Sequence, residues 1–177
     1  VKPARLRTLA ALAAVCALLA GCAADRVQGL RASTAPQAAP AAGACPFTIV
    51  AIDDRREEKG LGRLYRTRVD GEESFPSWFA DGLKATPGHA AQGAPVTLRV
   101  EVLRAYIHAL STMKSANLVV RVHMTTPDGA LRSKLYRGVD GSTNWSNSES
   151  EVQAAFDNAM IHLRQQLQRD LALTCTR

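Results

Sequence analysis

With 177 residues, 46% of them hydrophobic and 21% charged, the chain is long enough for one ordinary domain and too apolar to be disordered throughout. A formal net charge of +6 suggests a basic protein, yet Lys2, Arg5 and Arg7 all lie within the first seven residues. The remainder shows no basic stripe with interleaved aromatics, so nucleic-acid binding is not expected.

The apolar run "LAALAAVCALLA", Leu9 to Ala20, would span roughly 18 Å as a helix, against roughly 30 Å of bilayer hydrocarbon. Extended to Ala24 it still reaches only about 24 Å, and much of it is alanine. A spanning helix is therefore not expected. A positive start, a short apolar stretch and small residues at its end form the pattern of a secretory signal peptide over residues 1–21. The ending "LAGC", Leu19 to Cys22, resembles the lipobox of bacterial lipoproteins. That resemblance implies cleavage before Cys22 and acylation of its thiol and new amino group (a palmitate-type anchor). Each buried methylene contributes about 0.8 kcal/mol, and more than one chain gives stable attachment. An ordinary signal peptide with a chance cysteine is the alternative. Ala23, rather than Asp, follows Cys22, as in lipoproteins sorted to the outer membrane with the domain facing the periplasm. Loss of residues 1–21 removes three positive charges and lowers the net charge from +6 to +3.

Four cysteines occur. Cys16 leaves with the leader and Cys22 is the acylation site. Cys45 and Cys175 remain, one before the first strand-like run and one after the last helix-like run. In an oxidising compartment they are expected to form a disulfide. Free thiols or a metal site are the alternatives, but His89, His108, His123 and His162 lack recognisable ligand spacing. No metal and no cofactor is expected.

Residues 22–44 are rich in Ala and Pro and read as a lipidated cysteine plus linker, able to reach roughly 70 Å if fully extended. The folded domain is expected over residues 45–177. "FTIVAID" from Phe47 reads as a buried strand. The polar, glycine-punctuated stretch after it reads as a loop with at most a short edge strand. Ser74 and Pro76 open a short helix that places Phe75, Trp78, Phe79 and Leu83 on one face, with Gly82 weakening it. Val96, Leu98, Val100 and Val102 alternate as a strand until a break at Leu103-Arg104, which suggests a bulge. Leu118, Val120, Val122 and Met124 repeat the alternation, so the two runs form a long antiparallel hairpin. Pro127-Asp128-Gly129 turns the chain into a return strand, "LRSKLYRG". Ser148 with Glu151 makes a capping box. A stripe from Val152 to Leu171 then defines a helix of roughly 24 residues, about 36 Å long. The order β-α-β-β-β-α predicts an α+β fold: a single domain with a mainly antiparallel sheet and helices packed on one face.

The runs "IVAIDDRR" followed by "LG", "VTLRVEVLRAYI" paired with "ANLVVRVHMTTPDG", "YRG" and "FDNAMIHLRQQLQRDL" resemble the YajG-like family of small Gram-negative outer-membrane lipoproteins. The resemblance covers roughly Phe47 to Leu171 and implies an outer-membrane-anchored periplasmic domain. It carries over no catalytic residues.

Candidate chemistry is sparse. Asp53-Asp54 suggests a carboxylate pair, but neighbours on a strand point to opposite faces, and Arg55-Arg56 follow, so local ion pairing at a strand end is expected. Gly60-Leu61-Gly62 lacks the Lys-Ser/Thr of a phosphate loop. No G-x-S-x-G elbow is present. His123 is expected on the solvent side of the sheet and His108 at the hairpin tip. Asn144-Trp145-Ser146 reads as a loop into the helix cap, with Trp145 packed on the domain. The projecting hairpin tip "YIHALSTMKSAN" carries Ile107, Leu110 and Met113 where a plain turn would be polar, a candidate protein-contact patch; the alternative is that these side chains fold back onto the domain. The expected function is a non-enzymatic, lipid-anchored lipoprotein acting on an envelope protein partner in assembly or maintenance. The alternative is a ligand-binding or transport-auxiliary lipoprotein holding a lipid or small molecule between sheet and helices.

Overall fold

The computed structural model describes residues 26–27, 29–31, 44–110 and 112–175. The expected leader, Cys22 and most of the expected linker lie outside the described residues. The elements are β1 (Arg26–Val27), β2 (Phe47–Asp54), β3 (Gly62–Leu64), β4 (Thr67–Val69), α1 (Phe75–Lys84), β5 (Val96–Leu110), β6 (Met113–Thr125), β7 (Leu131–Thr143) and α2 (Glu149–Cys175). Among the described residues the fold is α+β, with two helices packed on the sheet. It departs from the expected element order by a short hairpin, β3–β4, ahead of α1, and by β1.

β5, β6 and β7 form an antiparallel meander, with Leu98 opposite Met124 and Val120 opposite Tyr136. The other edge of β5 is shared by two parallel partners. β2 pairs along its first half, from Phe47 opposite Val96 to Asp54 opposite Val102. β3 pairs near its end, with Gly62 opposite Ile107 and Arg63 opposite His108. Between these partners lies the predicted bulge, a register shift from Val102 to Arg104. β4 pairs antiparallel with β3, and β1 runs parallel to β4 beyond it.

Alternation in β5 and β6 sets which face is covered. Leu98, Val100, Val102, Leu118, Val120 and Val122 point to the helices and are buried. After the bulge the phase resumes through Ala105 and Ile107, which are buried too. Against them α1 presents Phe75, Trp78, Phe79 and Leu83, and α2 its stripe from Val152 to Leu171. Trp78 meets Phe156 edge-on at 5.8 Å, and its indole N–H donates to Asp157 at 3.0 Å. Burial without an orphaned polar atom is thus achieved for the largest core side chain. Gly82, a poor helix former, lies where a Cβ would come within 3.1 Å of Met160, so its small size lets the two helices approach.

Ser148 and Glu151 form the capping box: the Glu151 N–H donates to the Ser148 hydroxyl, and the Ser148 N–H donates to the Glu151 carboxylate, each at 3.4 Å. Glu151 also accepts from the backbone N–H groups of Trp145 and Ser146, both at 2.9 Å. Ser74 behaves differently from expectation. It occupies the N-cap of α1 without a side-chain cap bond. Its hydroxyl instead accepts from the Leu30 N–H at 2.8 Å. Leu30 is buried, and the Arg31 backbone exchanges hydrogen bonds with the Gln153 amide at 2.8 and 3.2 Å. Residues 26–27 and 29–31 therefore belong to the folded unit, and the reading of the whole 22–44 stretch as linker is corrected there. A two-residue strand leaves no periodicity to detect; its partners are supplied by tertiary structure.

Burial opposes ionisation of Glu151, but the Ser146 and Trp145 N–H groups, the Ser146 hydroxyl and the Lys114 charge outweigh it and lower its pKa from 4.5 to about 2. A depressed carboxylate pKa stabilises the fold above pH 4.5, and that contribution disappears as the pH falls towards about 2. Glu151→Gln should lower stability by about 1–2 kcal/mol at neutral pH and become indistinguishable from the parent chain in strong acid. Urea melts of both proteins across the acid range check this; a pH-independent difference would refute it.

Candidate functional site

The helices cover one sheet face and leave the other open. Three features of the molecule could serve function: that open face, a gap along the edge of β5, and the end of the sheet where the β5–β6 hairpin turns.

The open face carries its charges in pairs. Arg99 of β5 reaches Asp53 of β2 at 2.8 Å, and Glu101 receives Arg121 of β6 at 3.3 Å and His123 at 3.5 Å. Arg137 of β7 donates to the Asn117 side-chain oxygen at 2.8 Å. All are direct or diagonal cross-strand neighbours by register, and for Arg99–Asp53 and Arg121–Glu101 this is the geometry in which opposite charges stabilise a sheet. His123 lies on this face as expected. A shallow hollow of about 480 Å³ on it is lined by Val50, Thr97, Arg99, Glu101, His123 and Leu131 among others.

Asp53 and Asp54 separate as strand geometry requires. Asp53 takes Arg99, while Asp54 takes Arg56 at 2.9 Å and Lys59 at 3.3 Å. The expected local pairing is present, but Arg56 is a buried cation rather than a surface one. Its guanidinium holds Asp54 through two nitrogens, donates to the Lys59 carbonyl at 3.0 Å and stacks 4.0 Å above the Phe75 ring. Burial raises the Asp54 pKa, yet Arg56 and Lys59 together bring it below the usual value. The Arg56 loop bridges the ends of β2 and β3, and beside it the edge of β5 lies in a cleft of about 540 Å³. Arg55, Arg104, Glu57, Glu58 and Tyr106 line that cleft, and its exposed arginines and glutamates offset one another in charge. Among the described residues no group of three or more His, Cys, Asp or Glu is placed to hold a metal ion.

On the helix face near the end of α2, Asp170 accepts from Lys134 at 2.6 Å and from the Tyr136 hydroxyl at 2.7 Å. Burial and then the Asp170 carboxylate raise the Tyr136 pKa, so the phenol stays protonated. Together they tie α2 to β7 beside a hollow of about 230 Å³.

The tip differs most from expectation. β5 continues to Leu110 and β6 starts at Met113, so the projecting apolar loop is in fact strand. Ile107 is 1% exposed and belongs to the core, which corrects its assignment to a contact patch. The signal is present in the sequence: Ile107 keeps the core phase of Ala105 once the bulge is counted. Leu110 and Met113 face each other across the hairpin and are 64% and 49% exposed. His108 stacks on Tyr106 at 5.8 Å, short of the turn. Trp145, expected to pack on the domain, is 85% exposed. Tyr65, in the β3–β4 turn with φ 51°, is 54% exposed. Sequence reasoning misses both aromatics as surface features, because a lone aromatic in a polar stretch reads equally well as a core residue.

Cys45 and Cys175 are joined by a disulfide, with Cα atoms 5.7 Å apart. Among the described residues no helix is long and apolar enough to cross a membrane.

No protein family and no curated protein matches the sequence. Solved structures resemble the fold. Protein XCC0632 from Xanthomonas campestris, of family DUF330, aligns over 85% of this chain and 94% of its own, with TM-score 0.51 and 12% identity. The hypothetical protein CT253 from Chlamydia trachomatis aligns over 85% and 99%, with TM-score 0.49 and 9% identity. A minor lipoprotein from Acinetobacter baumannii aligns over 70% and 92%, with TM-score 0.38 and 12% identity. The first of these matches establishes a shared fold and nothing about activity.

Proposed function

We propose that this chain is a lipid-anchored, non-enzymatic domain of the Gram-negative envelope. Acylated Cys22 holds it at the outer membrane, and it acts in the periplasm by contact with another envelope protein. The leader ending in a lipobox and the disulfide, which suits an oxidising compartment, support the location. The observation that carries the mode of action is the contrast between the two sides of the sheet. The helix side is filled: Phe47, Phe79, Phe156 and Leu118 have no exposed surface, so a lipid or small molecule finds no space in its centre. The other side is broad and patterned by paired charges, with Val50, Leu131 and Leu135 exposed along it. Such a surface suits protein recognition, where charge pairs fix register and apolar residues supply affinity.

Photo-crosslinkers placed singly at Arg121 and Leu135 on the open face test this in intact cells. A third, at Ala154 on the exposed side of α2, serves as the matched control. A discrete adduct from the open-face positions, and none of the same mass from Ala154, is the expected result. The adduct should weaken when Cys22→Ser releases the chain from the membrane. Absence of any specific adduct from the open face would overturn the reading.

A further inference from the structure

We infer that the hairpin-tip end of the sheet is a membrane-docking surface, with Tyr65, Leu110, Met113 and Trp145 seated in the headgroup region of the bilayer that holds Cys22. The inference rests on the proposed acylation of Cys22 and adds how the domain is oriented.

Strand directions bring these four residues together. β5 runs towards Leu110, and β3 runs parallel to it, so the Tyr65–Arg66 turn lies at the Leu110 end. β7 runs parallel to β5 across β6 and ends with Thr143 opposite Met113, and Trp145 follows two residues later. The Asn144 N–H donates to the Thr112 carbonyl at 2.8 Å, which fixes that loop against the hairpin turn. Tyr65, Leu110, Met113 and Trp145 thus gather at one end, and they include both aromatics among the exposed large hydrophobic side chains. At the opposite end the β6–β7 turn is Pro127-Asp128-Gly129.

The chain reaches the membrane from that same end. β4 starts there, because it is antiparallel to β3, and β1 is parallel to β4 with Arg26 opposite Arg68 and Val27 opposite Val69. The chain therefore enters β1 from the tip end. Only residues 23–25 separate Cys22 from Arg26. Four residue steps span at most about 14 Å, so a lipid on Cys22 brings this end to the bilayer surface. Trp and Tyr favour the interface, where an apolar ring meets a polar handle. Exposed Arg63 and Arg66 flank Tyr65 and complement anionic headgroups.

The test uses the mature acylated chain in vesicles of phosphatidylethanolamine and phosphatidylglycerol. Trp145 emission is isolated as the difference from Trp145→Phe, because the other tryptophan, Trp78, is buried. Docking predicts a blue shift, several-fold protection from aqueous iodide, and quenching by lipids brominated near the headgroup. Triple substitution of Tyr65, Leu110 and Met113 by Ser should abolish the protection while the lipid still holds the chain. Trp145 as accessible to iodide on vesicles as in soluble Cys22→Ser protein would overturn docking. So would a Trp145 already shielded in a soluble Cys22→Ser dimer, which would make the patch a contact between copies. The mass of the N-terminal peptide from native membranes reads acylation separately. If Cys22 proves unmodified, the anchor reading falls. Coupling its thiol to a maleimide lipid in the same vesicles then still decides docking by the Trp145 signal.

Discussion

Removing the Cys45–Cys175 bridge should produce the largest loss of stability of any change considered. The bridge closes a sequence separation of 130 residues. Constraint of so long a loop in the unfolded chain contributes about 5 kcal/mol on the chain-entropy account, before any strain is subtracted. That is a large share of the roughly 5–15 kcal/mol that separates folded from unfolded states in a typical domain. The bridge also pins the end of α2 beside the start of β2, and the Phe47 N–H to Gly88 carbonyl bond of 2.9 Å lies next to it. Cys45→Ala/Cys175→Ala should therefore unfold at much lower urea than the oxidised parent, and reductant should shift the parent to match. Superimposable melts with and without reductant would refute the estimate.

Gly138→Val should come second. An added Cβ at this position of β7 would lie 2.1 Å from the Ala159 carbonyl oxygen and 3.0 Å from the Leu163 Cβ. The first obstacle is helix backbone, so no rotamer change relieves it. α2 would have to withdraw from the sheet where Phe156, Ala159 and Leu163 are buried. Overpacking of this kind costs about 3 kcal/mol. Retreat of the helix would also lengthen the Gln166 bond to the Arg137 carbonyl, now 2.7 Å. The check is a paired thermal melt of Gly138→Val and Gly141→Val. The second glycine sits on the same strand with nothing within 4 Å of its Cβ site, so it should tolerate the change far better. Equal losses at both positions would point to β7 itself rather than to the helix contact.

Legibility in the sequence follows the length over which a signal can repeat. α2 has eight buried positions and a reciprocal cap, so its stripe and its start are both readable. β5 alternates over four core positions before the bulge and β6 over five, and the bulge shows as a break in that alternation. The three-residue strands β3 and β4 allow no more than one alternation, and their Leu64 and Val69 sit among charges, so they look like loop. Arg56 is readable as an ion-pair partner of Asp54, because the two lie two residues apart. Its burial is not, since that depends on Phe75, a residue reached only through tertiary structure. The exposed end of the sheet is half legible. Leu110 and Met113 stand out against a polar turn, whereas Tyr65 and Trp145 join them only through the order and direction of strands.

The bridge between Cys45 and Cys175 has a topological consequence apart from energy. It turns everything from β2 to the end of α2 into a closed covalent ring, with the N-terminal segment attached at one atom of that ring. A protease that cuts once in any loop of the ring opens it but releases nothing. Both fragments stay joined, and the sheet and helices keep their partners at hand to re-form around the nick. Two cuts are needed to free a piece. In a compartment rich in proteases, the domain would survive single lesions that would dismantle an open chain.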